Sequence, residues 1–454
     1  MFNNEAPATH YSPEVFEKLE TNAHLLDRLS SRYPVEESPE FASLVRPSDR
    51  DEPNQRLFHY REGYTVELCR RLIVEDRGPV LDPFCGFGST LLAAKEKSLK
   101  AIGFDVNPLA ICVTQAKTAN YEKEDVADFR RFRDSVESVR SIDHRAASPD
   151  LKIIDKLFQA DILSALNVFK ARLQSVSNDK VRRLAFVCWL AILEDVSNVY
   201  REGNGVKYRN RVRRGNEYTT VPYDVWASQR FPEDKFAFVK DSYFQKLEIA
   251  LADIEMQRVS CEPSVIEGDS LSLGRFVPPG SVGQAVFSPP YCNLFNYIKA
   301  YKLELWMGGF IQNYGDVRKL TAKGIRSRLE GLTAHEDPVD HEVEQFAHLV
   351  ERADTWSDAI PAVVRGYFSD MKAVLSAIHE ALRPGGRSSV IVGNSALGGV
   401  LIPTDLLLAS IAEKVGFSVV GLKVARHLTT SSQQKKNLAQ FKTYMRETII
   451  ELQK

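Results

Sequence analysis

The chain has 454 residues, 44% of them hydrophobic and 26% charged, with a formal net charge of -1 at pH 7. That length exceeds one simple core and predicts two domains, or one domain with a large insertion, while the composition excludes a disordered chain. A near-neutral balance excludes a protein coated in basic residues but leaves room for a local nucleic-acid-binding patch. Cys69, Cys85, Cys112, Cys188, Cys261 and Cys292 show no paired metal spacing, so no metal is expected. Without a signal-peptide pattern, reduced thiols of a cytoplasmic protein are the expectation. The longest apolar run, Leu184 to Leu193, is about half of what a bilayer span needs, so it predicts a buried helix and no membrane association.

Residues 1–55 open with a polar tail. A helix is predicted from Ser12-Pro13, a capping hydroxyl followed by a first-turn proline. Val15, Phe16, Leu19, Leu25, Leu26 and Leu29 give it a face that packs on the body. Arg46 to Gln55 reads as a linker or surface loop, and Val66 to Val74 as a helix. In Gly78 to Thr90 a strand ends at Asp82, a turn carries Gly86 and Gly88, and a helix follows from Thr90 to Lys97. The glycines let backbone approach a ligand, and the helix start offers free N–H groups. A second strand, Lys100 to Asp105, ends in an acid 23 residues after Asp82, where nucleotide folds hold ribose hydroxyls. This order fits a dinucleotide site as well as an S-adenosylmethionine site, although the turn lacks the third glycine of the dinucleotide fingerprint.

Residues 120–261 interrupt the alternation with predicted helices over Asp125–Val139, Asp161–Val176, Asp179–Val199 and Lys240–Arg258. Within them, Tyr200 to Arg214 sets six basic residues against one acid, interleaved with Tyr200, Tyr208 and two asparagines. Such a stretch suits phosphate and base-edge contacts, with Lys207, Arg209, Arg211, Arg213 and Arg214 as candidates. The alternation resumes with a strand to Asp269. The next strand, Val282 to Phe287, runs into Ser288-Pro289-Pro290-Tyr291, a hydroxyl, a rigid turn and an aromatic ring that can hold a flat polar ring. A helix is predicted over Leu294–Trp306, then a basic segment containing Arg326 and Arg328. A strand over Ser388–Val392, a helix over Asp405–Val415 and a terminal hairpin pairing Ser418–Val424 with Glu447–Leu452 complete a doubly wound α/β sheet with its site along the carboxyl edge.

Asp82-Pro83-Phe84-Cys85-Gly86-Phe87-Gly88-Ser89-Thr90 resembles the cofactor motif of S-adenosylmethionine-dependent amino-methyltransferases acting on DNA. Ser288-Pro289-Pro290-Tyr291 resembles their catalytic motif, in the Ser form typical of cytosine-N4 enzymes; adenine-N6 enzymes more often carry Asp or Asn first. The resemblance covers roughly residues 56–118 and 262–452. It departs at Ser89-Thr90, where a Thr commonly comes straight after the second glycine.

The resemblance implies a mostly parallel, seven-stranded sheet. It divides the chain into an N-terminal helix and linker (1–55), a catalytic domain (56–119 and 262–454) and a mainly helical target-recognition insertion (120–261). It implies S-adenosylmethionine as cofactor, with Asp82 and the turn from Phe84 through Gly86 to Gly88 at the amino-acid end, Asp105 on the ribose and Asp269 on the adenine amine. Tyr64 and Thr65 fall beside the methionine carboxylate. Ser288, Pro289, Pro290 and Tyr291 become the catalytic set, and Asn296 and Tyr297 extend the same pocket. Double-stranded DNA is the implied substrate, contacted also by Arg326 and Arg328, in a bacterial or archaeal modification or defence system with any nuclease on a separate protein. Adenine-N6 methylation, RNA base methylation and an inactive DNA-binding subunit are the alternatives.

Overall fold

The computed structural model describes residues 13–49, 51–140, 151–202, 205–215, 217–258, 260–330, 332, 339–429 and 438–454. Ser12 and the side chains of Val15, Phe16 and Arg214 lie outside the described residues. The strands are β1 (Val35–Glu37), β2 (Val80–Asp82), β3 (Ala101–Asp105), β4 (Ser264–Glu267), β5 (Val282–Phe287), β6 (Leu382–Gly393), β7 (Ser418–His427) and β8 (Arg446–Gln453). They form one eight-stranded sheet in the order β1-β7-β8-β6-β5-β2-β3-β4. Only β8 runs antiparallel to its neighbours, as the terminal hairpin predicted. Seven strands are those expected; β1 adds a short parallel edge to β7 from a segment expected to hold no strand.

Alternation along each strand divides the core into two faces. Val80, Val286, Ile391 and Ile449 point to one, under the helices Val66–Leu72 and Ser89–Glu96. Leu81, Ala285, Val390 and Ile450 point to the other, under Pro13–Ser30, Ile360–Ala381 and Thr404–Val415. Leu19, Leu25, Leu26 and Leu29 do anchor the N-terminal helix to the body.

The pairing of β2 with β5 is locked from the side. The buried Gln284 side chain donates from Nε2 to the Val74 carbonyl (2.8 Å) and accepts the Val74 N–H at Oε1 (2.9 Å). Beside it, a Cβ on Gly283 would lie 1.3 Å from the Arg77 carbonyl oxygen. Only a residue without a side chain lets these segments come so close.

The insertion packs helices Lys123–Glu137, Ala160–Arg172, Asp179–Ala191 and Lys235–Met256 around buried Phe169, Trp189 and Tyr243. Leu184, Ala185, Val187 and Leu190 lie inside, the buried apolar run as predicted. Among the described residues no helix is long and apolar enough to cross a membrane. Three differences from the sequence reading concern the site. The helix expected to reach Val199 stops at Ala191, and residues 199–220 form two hairpins, Val199–Glu202 with Gly205–Tyr208 and Arg211–Arg214 with Glu217–Thr220. Two Gly-Asn pairs, Gly203-Asn204 and Gly215-Asn216, are the turn signals that the run of charge obscured. The helix expected over Leu294–Trp306 is broken into Tyr297–Ala300 and Lys302–Gly308 at Tyr301, whose backbone leaves the helical region (φ -110, ψ 20) and whose hydroxyl donates to Glu62 (2.7 Å).

Replacing Gly283 by Ala forces backbone against backbone, and overpacking of this kind costs about 1–3 kcal/mol or more. Gly283→Ala is expected to lower the urea midpoint accordingly, whereas Gly274→Ala, which meets nothing within 4 Å, leaves it unchanged.

Candidate active site

Strand order reverses between β2 and β5: from β2 the sheet continues to β3 and β4 on one side, and from β5 to β6 on the other. Such a reversal opens a crevice beyond the carboxyl ends of the strands. A cavity of about 290 Å³ lies there. The loop after β2, the tip of β3, the loop after β4 and the loop after β5 all reach it. Tyr64, Phe84, Gly86, Asp105, Asp269 and the whole of Ser288-Pro289-Pro290-Tyr291 line its wall.

Asp105 accepts the Gly86 N–H at Oδ2 (3.0 Å) and the Asn107 N–H at Oδ1 (2.8 Å), so it shapes the glycine turn while facing the cavity. Burial pushes its carboxyl up to about 6. Gly86 holds φ +47, and a Cβ there would come within 3.2 Å of the Tyr60 ring. Asp269 accepts the Leu271 N–H (3.0 Å), and burial raises its carboxyl as well. The Tyr291 hydroxyl donates to Glu447, whose other oxygen takes the Arg426 Nε–H, and the Tyr291 ring lies against Gly393, where a Cβ would approach to 2.7 Å. Tyr291 is therefore a fixed wall. Tyr297 joins the lining, and its hydroxyl accepts the Tyr291 N–H (3.4 Å).

Four expected residues sit elsewhere. Asp82 is fully buried beneath the turn, accepting the Phe84 N–H (3.0 Å) and the Tyr64 hydroxyl (3.2 Å), so it shapes the loop from below. Thr65 caps the helix Val66–Leu72 by accepting the Leu68 N–H (3.1 Å) and donates to the Leu44 carbonyl. Gly88, at φ +88, packs against Thr114 at the start of the next helix. Asn296 is a helix cap outside the lining.

The basic candidates divide as sharply. Arg326 is tied to the Asp370 carboxylate, while Arg328 is buried in the cavity wall, donating to the Thr321 carbonyl, and so faces the cavity rather than the outer surface. Lys207 pairs with Glu202 (2.9 Å), and Arg209 turns inward to the Val199 carbonyl (3.0 Å). Arg211 and Arg213 remain exposed.

Sequence reading missed Glu447, Arg426, Tyr60 and Glu62, all of which line the cavity. An acid just ahead of the apolar pair Ile449-Ile450 in the last strand was the available signal for Glu447; nothing local marks the others. Glu62 leads outward: it receives the Tyr301 hydroxyl, Arg201 lies over the Tyr301 ring at 4.5 Å, and Arg201 is paired with Glu194 and Glu304. The insertion is thereby bonded to the cavity wall.

Against known proteins, a Type II methyltransferase of Nostoc sp., M.AvaI, is 23% identical over 427 residues, covering 88% of this chain and 86% of that protein. M.BsoBI of Geobacillus stearothermophilus, also a Type II methyltransferase, is 21% identical over 432 residues, 86% of this chain and 83% of its own length. M.MvaI of Kocuria varians is 22% identical over 189 residues, 38% of this chain and 40% of its own. This chain is similar to Type II methyltransferases. No protein-family model matches it. A solved rRNA methyltransferase, aviRa from Streptomyces viridochromogenes, aligns at 10% identity over 99% of this chain and 88% of that one, with a TM-score of 0.22, too low to bear on the fold.

The sheet is a mostly parallel α/β sheet, and the cofactor these relatives imply is S-adenosylmethionine. The residues fit it. A cavity with a buried carboxylate at Asp105, a second acid at Asp269 and a glycine turn kept clear of side chain offers hydroxyl acceptors, an amine acceptor and close backbone approach in one place.

Burial raises the Asp82 carboxyl to about 7, above its ordinary value near 3.9. The folded state thus holds a proton that the unfolded chain releases, and the linked stability falls as pH rises from about 4 to about 7. Asp82→Asn keeps an acceptor for Phe84 without titrating. Its thermal midpoint is expected to climb relative to the parent between pH 5 and pH 8; a constant offset across that range would show that Asp82 does not titrate there.

Proposed function

We propose that this protein is a site-specific DNA methyltransferase of a modification or defence system, moving a methyl group from S-adenosylmethionine to the exocyclic N4 amine of a cytosine flipped out of the duplex. The observation that carries this reading is the meeting of Ser288-Pro289-Pro290-Tyr291 with Asp105 and Asp269 around one cavity at the reversal of strand order. The likeness to Type II methyltransferases over most of the chain supports it. Serine in the first motif position favours cytosine over adenine.

In this reading Asp105 accepts the ribose hydroxyls, Asp269 takes the adenine amine and the Phe84–Gly88 turn admits the amino-acid end beside Tyr64. The bound cofactor supplies an electrophilic methyl group on a sulfonium. The exocyclic amine is a poor nucleophile because its lone pair is delocalised into the ring. The Ser288 hydroxyl and the Pro289 carbonyl accept hydrogen bonds from its N–H groups, which favours a pyramidal nitrogen and takes up its developing positive charge, and the proton shed by the methylated nitrogen passes to solvent. Tyr291, held by Glu447 and Arg426, stacks on the flipped base and aims the nitrogen in line, so positioning supplies much of the rate. Arg211 and Arg213 contact the DNA, and cutting is left to a separate protein.

Nucleoside mass spectrometry after incubation with DNA and labelled cofactor is expected to find the label in N4-methylcytosine. Label in N6-methyladenine would move the target to adenine, and label confined to added RNA would sink the DNA assignment. Ser288→Ala is expected to lower turnover by about 10²-fold or more while leaving cofactor Kd nearly unchanged. Asp105→Ala should instead weaken cofactor binding measured by calorimetry; equal loss of affinity in both variants would contradict the division of roles.

A further inference from the structure

The basic run between Tyr200 and Arg214 does not act as one patch. Arg201 is buried in the Tyr301–Glu304 network, Arg209 is folded back on its own hairpin and Lys207 is paired with Glu202 at the surface. What is left lies on the second hairpin, Arg211–Arg214 paired with Glu217–Thr220. All four residues of its return strand are exposed, and so are Arg211, Val212 and Arg213. Tyr218 is 55% exposed. A two-stranded ribbon bare on both faces gains nothing from a core of its own and is marginal in water by itself.

This ribbon is held at its root. Buried Asn198 and Asn210 bond to each other through their side chains (3.0 Å), Asn198 Oδ1 accepts the Asn210 N–H (3.1 Å), and Asn210 Nδ2 donates to the Val221 carbonyl (2.8 Å). The first hairpin, through Arg201, joins that root to Tyr301 and Glu62 at the cavity wall. Its outgoing strand carries two guanidinium groups, Arg211 beside the root and Arg213 farther out, that form no ion pair among the described residues. Arg211 stacks over the Tyr218 ring at 4.8 Å, and Arg213 uses only its Nε, toward the Gly215 carbonyl (2.9 Å). Both residues are exposed, and these contacts leave their terminal nitrogens available to a partner.

We propose that this ribbon enters the major groove of the target duplex and that Arg211 and Arg213 read guanine edges there. The inference rests on the DNA-methyltransferase reading above. A major groove about 12 Å wide admits a two-stranded ribbon, and a guanidinium fork matches the O6 and N7 acceptors of guanine. Arg211 and Arg213, two residues apart on one strand, share a face of the ribbon, so a ribbon lying along the groove presents both side chains to its floor. Asn198 and Asn210 set where the ribbon stands relative to the cavity, and so fix the distance between the base that is read and the base that is methylated.

The test uses the full-length protein with S-adenosylmethionine on a library of random-sequence duplexes, the modified positions being read by single-molecule sequencing. The parent is expected to select a site containing guanine. Arg211→Ala and Arg213→Ala should relax selection at a G·C position by about tenfold or more, with cofactor Kd unchanged. Arg→Lys at the same positions keeps the charge but loses the fork, so it should relax selection equally while preserving the salt dependence of binding. Uniformly weaker binding with unaltered selection and a shallower salt slope would make the ribbon a phosphate clamp and overturn base reading; unaltered selection and slope would overturn any role for it. A library left unmodified by the parent would overturn the functional reading itself, and the ribbon's role with it.

Discussion

The site depends on how closely β2 and β5 approach. Val80 pairs with Gln284 and Leu81 with Ala285, and these two short contacts bring a loop from residue 83 onward beside one from residue 288 onward. The sheet could slide there at little hydrophobic cost, because both strands are buried on both faces. What prevents it is polar and steric. The Gln284 amide satisfies both backbone groups of Val74, and Gly283 leaves room for the Arg77 carbonyl. A one-residue slip would bury those groups unpaired and turn each side chain to the wrong face of the sheet.

Around that contact the chain buries charge in order to shape loops. Asp82 and Asp105 each accept backbone N–H groups of the segment that follows them, and burial keeps both carboxyls well above their ordinary range. Below the same turn the ammonium of Lys117, fully buried, donates to Gln55 and to the carbonyl of Phe58, and burial pulls it down to about 7. The same ammonium reaches the Phe87 carbonyl in the turn (3.5 Å), so the glycine turn is fastened from beneath by an acid and a base. A floppy turn would have to be ordered when a ligand arrives, and this one already is.

The insertion is part of the same construction. Its core includes Leu109 and Val113 of the helix after β3, and also Tyr301 from the segment after Ser288-Pro289-Pro290-Tyr291. Arg201 at the head of the first hairpin reaches Glu304, and Tyr301 reaches Glu62 in the cavity wall. Removing one member of such a buried set strands the charge of another, so the hairpins and the cavity are expected to shift together.

Much of this was legible in the sequence for a physical reason. Alternating apolar strands, their terminal acids and their glycine turns are local patterns, and local sterics dictate them whatever surrounds them. The order of strands and helices, the terminal hairpin, the buried run at 184–193 and the cavity placement of Asp105, Asp269 and Ser288–Tyr291 follow from such patterns. Tertiary structure decided the rest. Whether Asp82 faces a ligand or the underside of its own loop depends on what packs above it. Whether an arginine is a surface charge or a buried strut depends on acids far away in the chain, Asp370 for Arg326 and Glu304 for Arg201. The orientation of Tyr291 depends on Glu447, 156 residues distant, because a hydrogen bond formed across strands leaves no mark on the spacing of either partner.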